Sequence, residues 1–195
     1  GEWAKGPYRL TASLRNKTMG ILGLGRIGKA IAKRGEAFGL KIAYCGRNKQ
    51  SDVPYDFYPT PQSLAEACDI LVLAAPGGEQ TRNIVDAQVL EALGPKGFLI
   101  NIARGSVVDE AALIAALRNG TIAGAGLDVF AREPQFAPEF LDLPNTVLLP
   151  HVGSGSIETR EAMEELLLAN VDAFATGRPL LTPVAECVLA RPPVR

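Results

Sequence analysis

Short apolar runs that alternate with helical patterns from Thr18 onward constrain this chain more than any other feature of it. Thr18 to Gly23 reads as a strand, Arg26 to Phe38 as a helix and Lys41 to Cys45 as a second strand. Tyr55 to Tyr58 is a weaker third strand, followed by a short helix over Gln62 to Cys68 and a fourth strand over Asp69 to Ala75. Asn83 to Leu93 reads as a helix, Gly97 to Ala103 as a strand, and Asp109 to Asn119 as a helix stopped by Gly120. Ala123 to Phe130 and Thr146 to Leu149 complete the strands. A long helix over Ile157 to Thr176 follows, with Ser156 as its N-cap and Gly177 and Pro179 closing it. Strands that are apolar almost throughout must be covered on both faces, so they predict a parallel sheet with helices on either side. With right-handed crossovers this becomes an α/β, Rossmann-type doubly wound sheet of about seven strands. Ligands of such sheets bind beyond the carboxyl ends of the strands, which directs attention to the residues just after each one.

Composition narrows the function classes. The 195 residues are 47% apolar, enough for one sizeable core. The net charge of −1 is spread without a basic stripe, so no nucleic-acid partner is expected. The longest apolar runs, Ile70 to Pro76 and Val147 to Pro150, are far too short to span a bilayer, and no secretory leader pattern opens the chain. Cys45, Cys68 and Cys187 are odd in number, and their spacing suits neither zinc nor a disulfide framework. Free thiols fit a reducing compartment, so a cytoplasmic protein without a metal site is expected. No internal repeat is visible.

The run Gly23-Leu24-Gly25-Arg26-Ile27-Gly28 lies between the first strand and the first helix. Gly23 permits a tight turn, Gly25 lets a pyrophosphate approach the backbone, and Gly28 lets helix and strand pack closely. The helix N-terminus, at Arg26 and Ile27, offers N–H groups and a partial positive charge to phosphate. An isolated glycine run of this kind also fits an ordinary turn; the strand before it and the helix after it favour the dinucleotide reading.

The end of the second strand bears on which dinucleotide. An acid about 20 residues beyond the glycines would bind the ribose 2′-hydroxyl of NAD. Cys45 stands there instead, and Arg47, Asn48 and Lys49 follow at once. A guanidinium binds a 2′-phosphate bidentately where a carboxylate would repel it. The expected cofactor is therefore NADP, with NADPH preferred over NADH; a solvated basic loop is the alternative reading.

Three further polar residues follow late strands: Arg104 in Asn101-Ile102-Ala103-Arg104-Gly105, Glu133 in Arg132-Glu133-Pro134, and His151 in Leu149-Pro150-His151-Val152-Gly153. The expected topology puts all three along the ligand edge. His151 is the single histidine, and a lone histidine is more often structural than catalytic. Arg104 and Glu133 each also read as ordinary surface residues when taken one at a time.

Taken together, these segments resemble the D-isomer-specific 2-hydroxyacid dehydrogenases, and within them the glyoxylate/hydroxypyruvate reductases. The resemblance runs through Ser13-Leu14-Arg15-Asn16-Lys17, the glycine motif, Asn101 to Asp109, Gly124 to Phe130, Pro150 to Gly153 and Glu158-Thr159-Arg160. It implies that Arg104 binds the substrate carboxylate and polarises its carbonyl. It implies that His151 delivers the proton to the carbonyl oxygen, and that Glu133 favours the protonated imidazole. It further implies that Ala75, Pro76 and Thr81 lie near the adenosine and phosphate portion, and Ile102 near the nicotinamide ribose. Asp128 would bond the carboxamide and Gly153 would give the nicotinamide room. A small 2-oxo or 2-hydroxy acid is the implied substrate, and a homodimer joined through the nucleotide-binding domains the implied assembly.

One departure from the family is evident. Its members carry a substrate domain built mostly from chain preceding the glycine motif, yet only about twenty residues precede Gly23 here, and the chain opens at Gly1 without methionine. Residues 1–17 then read as an interdomain connector, 18–181 as the dinucleotide-binding domain, and 182–195 as a tail returning toward a substrate domain missing from this chain. Such a piece is expected to fold but to turn over poorly. Two alternatives stay open: an NAD(P)-sensing interaction protein on the same fold, and a dehydrogenase for a larger 2-hydroxy acid such as phosphoglycerate.

Overall fold

The computed structural model describes residues 3–7 and 10–184. Cys187 and most of the expected tail lie outside the described residues. The chain divides into two compact units, Gly1–Pro150 and His151–Arg195.

The first unit is a seven-stranded sheet with order β3-β2-β1-β4-β5-β6-β7. The strands are β1 (Thr18–Leu22), β2 (Lys41–Cys45), β3 (Asp56–Tyr58), β4 (Ile70–Leu73), β5 (Phe98–Asn101), β6 (Gly124–Leu127) and β7 (Thr146–Leu148). Every neighbouring pair is parallel. The helices between them are α1 (Arg26–Ala37), α2 (Pro61–Glu66), α3 (Ala87–Leu93) and α4 (Glu110–Asn119). This is the expected doubly wound α/β sheet. β1 lies between β2 and β4, so the chain leaves β1 toward one side for β2 and β3 and returns to the other for β4. That reversal is the topological switch point where such sheets open a crevice.

Alternation within each strand sends side chains to two separate cores. Ile21, Ile42 and Tyr44 join Leu24, Ala32 and Leu40 in one. Leu22, Ala43, Cys45, Leu71 and Leu73 join Leu64, Val89, Leu90, Leu99 and Leu113 in the other. Burying each of the leucines, isoleucines and valines among them contributes on the order of 1.5–3 kcal/mol, which is why strands that are apolar throughout are stable only between two helical layers. Because Cys45 and Cys68 are buried, their thiols are held neutral; burial pushes Cys45 up, and Cys68 up to about 12.

Among the described residues, three of the four α-helices of this unit, α2, α3 and α4, start on side-chain caps. Thr60 Oγ1 accepts from the Ser63 N–H at 3.1 Å ahead of Pro61 and opens α2. Asp86 accepts from the Val89 N–H at 3.0 Å and Asp109 from the Ala112 N–H at 3.1 Å. The Asp86 cap moves the start of α3 from the expected Asn83 to Ala87, because Asn83 and Val85 spend their N–H groups on Ser106 and Val107 carbonyls across an adjoining loop. α4 ends at Gly120, in the left-handed region at φ +71°.

Register aligns the strand ends. Leu22 pairs with Cys45 on one side and Leu73 on the other, Leu73 with Asn101, Asn101 with Leu127, and Leu127 with Leu148. With Tyr58 opposite Cys45, the C-terminal residues of all seven strands form one row, and every loop that leaves it emerges at the same edge.

The second unit contains α5 (Ile157–Ala175), opened by Ser156, whose Oγ accepts from the Thr159 N–H at 3.2 Å. Asn170 anchors the chain beyond the helix: its Oδ1 accepts from the Leu181 and Thr182 N–H groups at 3.0 and 3.2 Å. Leu167, Leu168, Val171 and Phe174 on α5 are exposed. Among the described residues no helix is long and apolar enough to cross a membrane.

Candidate functional site

The first loop on the aligned edge is the glycine turn. Gly23 takes φ +100°, and its N–H donates to the Cys45 carbonyl at 2.9 Å. A Cβ placed on it would lie 2.6 Å from the Ala75 backbone nitrogen. The turn is thus wedged between the ends of β2 and β4, at the switch point. A Cβ on Gly28 would stand 2.3 Å from the Gly23 carbonyl oxygen, so α1 packs down on the turn as closely as a backbone can. Gly25 is different: a Cβ there would meet no atom within 4 Å. It is the N-cap of α1 and supplies no side-chain cap, while Arg26 and Ile27 beside it are exposed. Packing therefore accounts for two of the three glycines and leaves the third facing open space at a helix N-terminus. That arrangement fits a diphosphate, whose oxygens would take the first-turn N–H groups and the positive end of the helix dipole.

The loop after β2 is the second. Arg47, Asn48 and Lys49 are exposed, and the buried Cys45 behind them brings no negative charge. Gln50 closes the loop. Its backbone N–H donates to the Tyr44 hydroxyl at 2.6 Å, and its side-chain amide donates to the Leu24 carbonyl, inside the glycine turn, at 2.9 Å. Lys29 of α1 pairs with Asp52 at 2.7 Å just beyond. The basic loop and the glycine turn are therefore tied to one another.

The third group of loops follows β4, β5 and β6. Ala75 is buried and Pro76 exposed, and the Thr81 hydroxyl donates to the Pro76 carbonyl at 2.7 Å to hold this loop closed. Gly77 lies against Arg104: a Cβ there would come 2.9 Å from Arg104 Cγ. Arg104 itself is exposed, and its Nη1 donates to the Ala103 carbonyl at 2.6 Å. Asn101, only 1% exposed, shapes the turn that presents it; its Oδ1 accepts from the Ala103 N–H at 3.0 Å and its Nδ2 donates to the Arg104 carbonyl at 3.1 Å. Ile102 is half-buried. The Asp128 N–H donates to the Asn101 carbonyl at 3.0 Å, and Asp128 is 6% exposed.

Gly105 approaches the next loop at van der Waals limits. A Cβ on it would fall 1.9 Å from the Phe130 carbonyl carbon. The Phe130 N–H donates to Glu133 Oε1 at 2.9 Å, and the Ala131 N–H to Glu110 Oε1 at 2.6 Å. Phe130 packs on Phe136 and Phe140, with ring centroids 5.0 and 6.1 Å apart. The Arg104 turn and the loop bearing Glu133 are thereby pressed together. His151 and Gly153 belong to the second unit. His151 is exposed with φ +55°, and the Gly155 N–H donates to the Val152 carbonyl at 2.9 Å in the turn that leads into α5. Among the described residues no group of three or more histidine, cysteine or acidic side chains could hold a metal ion.

The first unit thus brings together the glycine turn, Ala75 and the Arg47–Lys49 loop, and separately Pro76 and Gly77 with Arg104, and Arg104 with the Glu133 loop. Asn101, Gln50 and Glu110 were not read as functional from sequence. A buried amide directly after the apolar run Phe98 to Ile100 is the signal that was present for Asn101. Gln50 and Glu110 carry no such signal, because their partners are distant in sequence.

Comparison with known proteins places this geometry in context. The family model described as D-isomer specific 2-hydroxyacid dehydrogenase, NAD binding domain, matches residues 1–153. A glyoxylate/hydroxypyruvate reductase A from Arabidopsis thaliana is 55% identical over 184 residues, which cover 94% of this chain and 59% of that protein. A 2-ketogluconate reductase from Gluconobacter oxydans is 50% identical over the same shares. A crystal structure of an NADPH-dependent glyoxylate/hydroxypyruvate reductase from Sinorhizobium meliloti, in complex with NADP and malonate, superposes with TM-score 0.93 at 50% identity. It is matched by all of this chain over 61% of its own. The chain thus spans about three fifths of the length of these relatives.

Proposed function

Because the chain belongs to the D-isomer-specific 2-hydroxyacid dehydrogenases through their NAD-binding domain, we propose that it is the cofactor-binding part of a reductase that uses NADPH to reduce a small 2-oxo acid of the glyoxylate or hydroxypyruvate type. The observation that carries the reading is the aligned strand edge. There a glycine turn with one uncrowded glycine is tied to a basic, carboxylate-free loop, with Arg104 in a loop that leaves the same edge.

Gly23, Gly25, Arg26, Ile27 and Gly28 would hold the diphosphate, and Arg47 with Asn48 and Lys49 the 2′-phosphate. Ala75, Pro76 and Thr81 would line the adenosine and phosphate portion; Ile102, Asp128 and Gly153 would serve the nicotinamide end. When bound, the reduced nicotinamide supplies the hydride. Arg104 orients the substrate by a bidentate bond to its carboxylate and draws electron density from the adjacent carbonyl. The roles proposed for His151, as proton donor, and for Glu133, as its acidic companion in the reaction, rest on the family resemblance and on the chemistry of the side chains. Relatives at like identity are named for hydroxyphenylpyruvate and 2-ketogluconate, which supports a shared 2-oxo acid head rather than one substituent.

In this reading 18–181 acts as the dinucleotide-binding domain, and 1–17 and 182–195 connect it to a substrate domain whose closure completes the site. A homodimer is supported by the exposed apolar residues of α5, and a cytoplasmic location by the buried, free Cys45 and Cys68. The test is a panel of small 2-oxo acids with each cofactor on the full-length protein, alongside Arg47→Ala. NADPH should turn over faster than NADH, and Arg47→Ala should weaken NADPH about tenfold or more while NADH changes little. Equal or better use of NADH would defeat the cofactor assignment.

A further inference from the structure

Arg47, Asn48 and Lys49 sit on an exposed loop, and long cationic side chains on a mobile loop would lose much of their affinity for a phosphate to ordering. The loop is not left to itself. Gln50 grips it at two points: its backbone N–H on the hydroxyl of Tyr44, a ring that is fully buried and tilted against Phe57 with centroids 5.3 Å apart, and its side-chain amide on the Leu24 carbonyl. The two anchors differ in what they hold. Tyr44 belongs to the core of β2, whereas Leu24 belongs to the glycine turn. The turn is fixed independently by the Gly23 to Cys45 hydrogen bond and by the Gly28 contact. If the bracket opened, the loop would move and the turn would stay.

We propose that Gln50, braced by Tyr44, is a positioning residue for cofactor specificity: it sets the distance between the 2′-phosphate loop and the diphosphate turn, and so governs NADPH affinity without contributing to NADH affinity. This rests on the assignment of Arg47 to the 2′-phosphate. The energetic logic is that of preorganisation. The 2′-phosphate contact is the one part of the dinucleotide that reports on the loop, and NADH lacks it.

The experiment measures dissociation constants for NADPH and NADH by calorimetry on the chain carrying Gln50→Ala, Tyr44→Phe, Arg47→Ala, or Gln50→Ala with Arg47→Ala. Thermal unfolding is followed in parallel. Gln50→Ala should weaken NADPH about five- to tenfold and NADH less than about twofold. Tyr44→Phe, which removes only the acceptor, should act in the same direction to a smaller degree. The double variant should lose clearly less NADPH affinity than the sum of the two single losses, because the bracket works through Arg47 and its loop neighbours. Equal losses for both cofactors, or additive losses in the double variant, would overturn the inference while leaving the Arg47 assignment standing. An Arg47→Ala protein that fails to separate the two cofactors would overturn the 2′-phosphate assignment itself, and this inference with it.

Discussion

Gly25 and Gly28 are three residues apart in one motif, yet the structure demands opposite things of them. In Gly28→Ala the new methyl would meet the Gly23 carbonyl oxygen at 2.3 Å, a backbone atom that cannot swing away. Helix and turn would have to part by about 1 Å to reach ordinary contact. Overpacking of that kind costs about 1–3 kcal/mol, and the gain from replacing glycine in a helix offsets at most about 1 kcal/mol. A clash with fixed backbone belongs at the upper end of that range, so a net loss of about 2 kcal/mol should lower Tm by about 4–8 °C for a chain of this size. In Gly25→Ala the methyl meets nothing within 4 Å, and φ −81° with ψ −161° suits alanine. The weaker cap and the reduced freedom of the unfolded chain nearly cancel, leaving a change within about 0.5 kcal/mol. Dinucleotide binding should respond the other way. The Gly25 methyl would occupy the space assigned to the diphosphate and weaken NADPH by about tenfold or more, equivalent to at least one charge-assisted hydrogen bond. Urea or thermal unfolding without nucleotide, and calorimetric titration with NADPH, measure both quantities on the same samples. A Gly25→Ala protein that binds NADPH within twofold of the unaltered chain would refute the cradle; one as unstable as Gly28→Ala would refute the packing distinction.

Asp69 should make stability fall in acid. Burial alone would raise its carboxyl, but hydrogen bonds from Lys17 Nζ at 2.6 Å and the Thr18 N–H at 2.9 Å, with the ammonium charge, outweigh that and leave it below the ordinary range. A depressed carboxyl stabilises the fold above its unfolded value, near pH 4, and that contribution is lost as pH falls through the folded value. With both side chains about one third exposed, screening limits it to about 1 kcal/mol. Unfolding midpoints of Asp69→Asn and the unaltered chain should differ at pH 6 and converge near pH 2; a constant gap would contradict this. Cys68, pushed up to about 12 by burial, should resist iodoacetamide in the folded chain at pH 8 and react fully in denaturant, and rapid native labelling would show the site is accessible. His151→Ala in the full-length protein should lower kcat by about 100-fold or more while the NADPH dissociation constant moves less than twofold; near-normal turnover would remove the proton-donor role.

The architecture was open to reading because each strand is committed to burial on both faces. Ile21 and Leu22, or Tyr44 and Cys45, are neighbours in the chain and enter opposite cores, and an uninterrupted apolar run is how that shows in one dimension. The glycine motif was legible for the same reason, since its spacing is dictated by local backbone geometry. Boundaries were less so. Asn83 to Asp86 has helical periodicity but spends its backbone on residues 106–109, a choice made by partners more than twenty positions away. The candidate residues divide along the same line. Arg104 and Arg47 declare themselves through position after a strand and through charge. Asn101, Gln50 and Glu110 act by gripping backbone that lies elsewhere, and side chains of their types are common on any surface.

The contact at Gly105 bears on how this scaffold can be altered. With no room even for a methyl between residue 105 and the peptide joining Phe130 to Ala131, the two segments behave as mortise and tenon. Insertions, deletions or bulkier residues tolerated in one are conditional on the shape of the other. Any redesign of this edge should therefore exchange 102–107 and 128–134 together, as a single cassette.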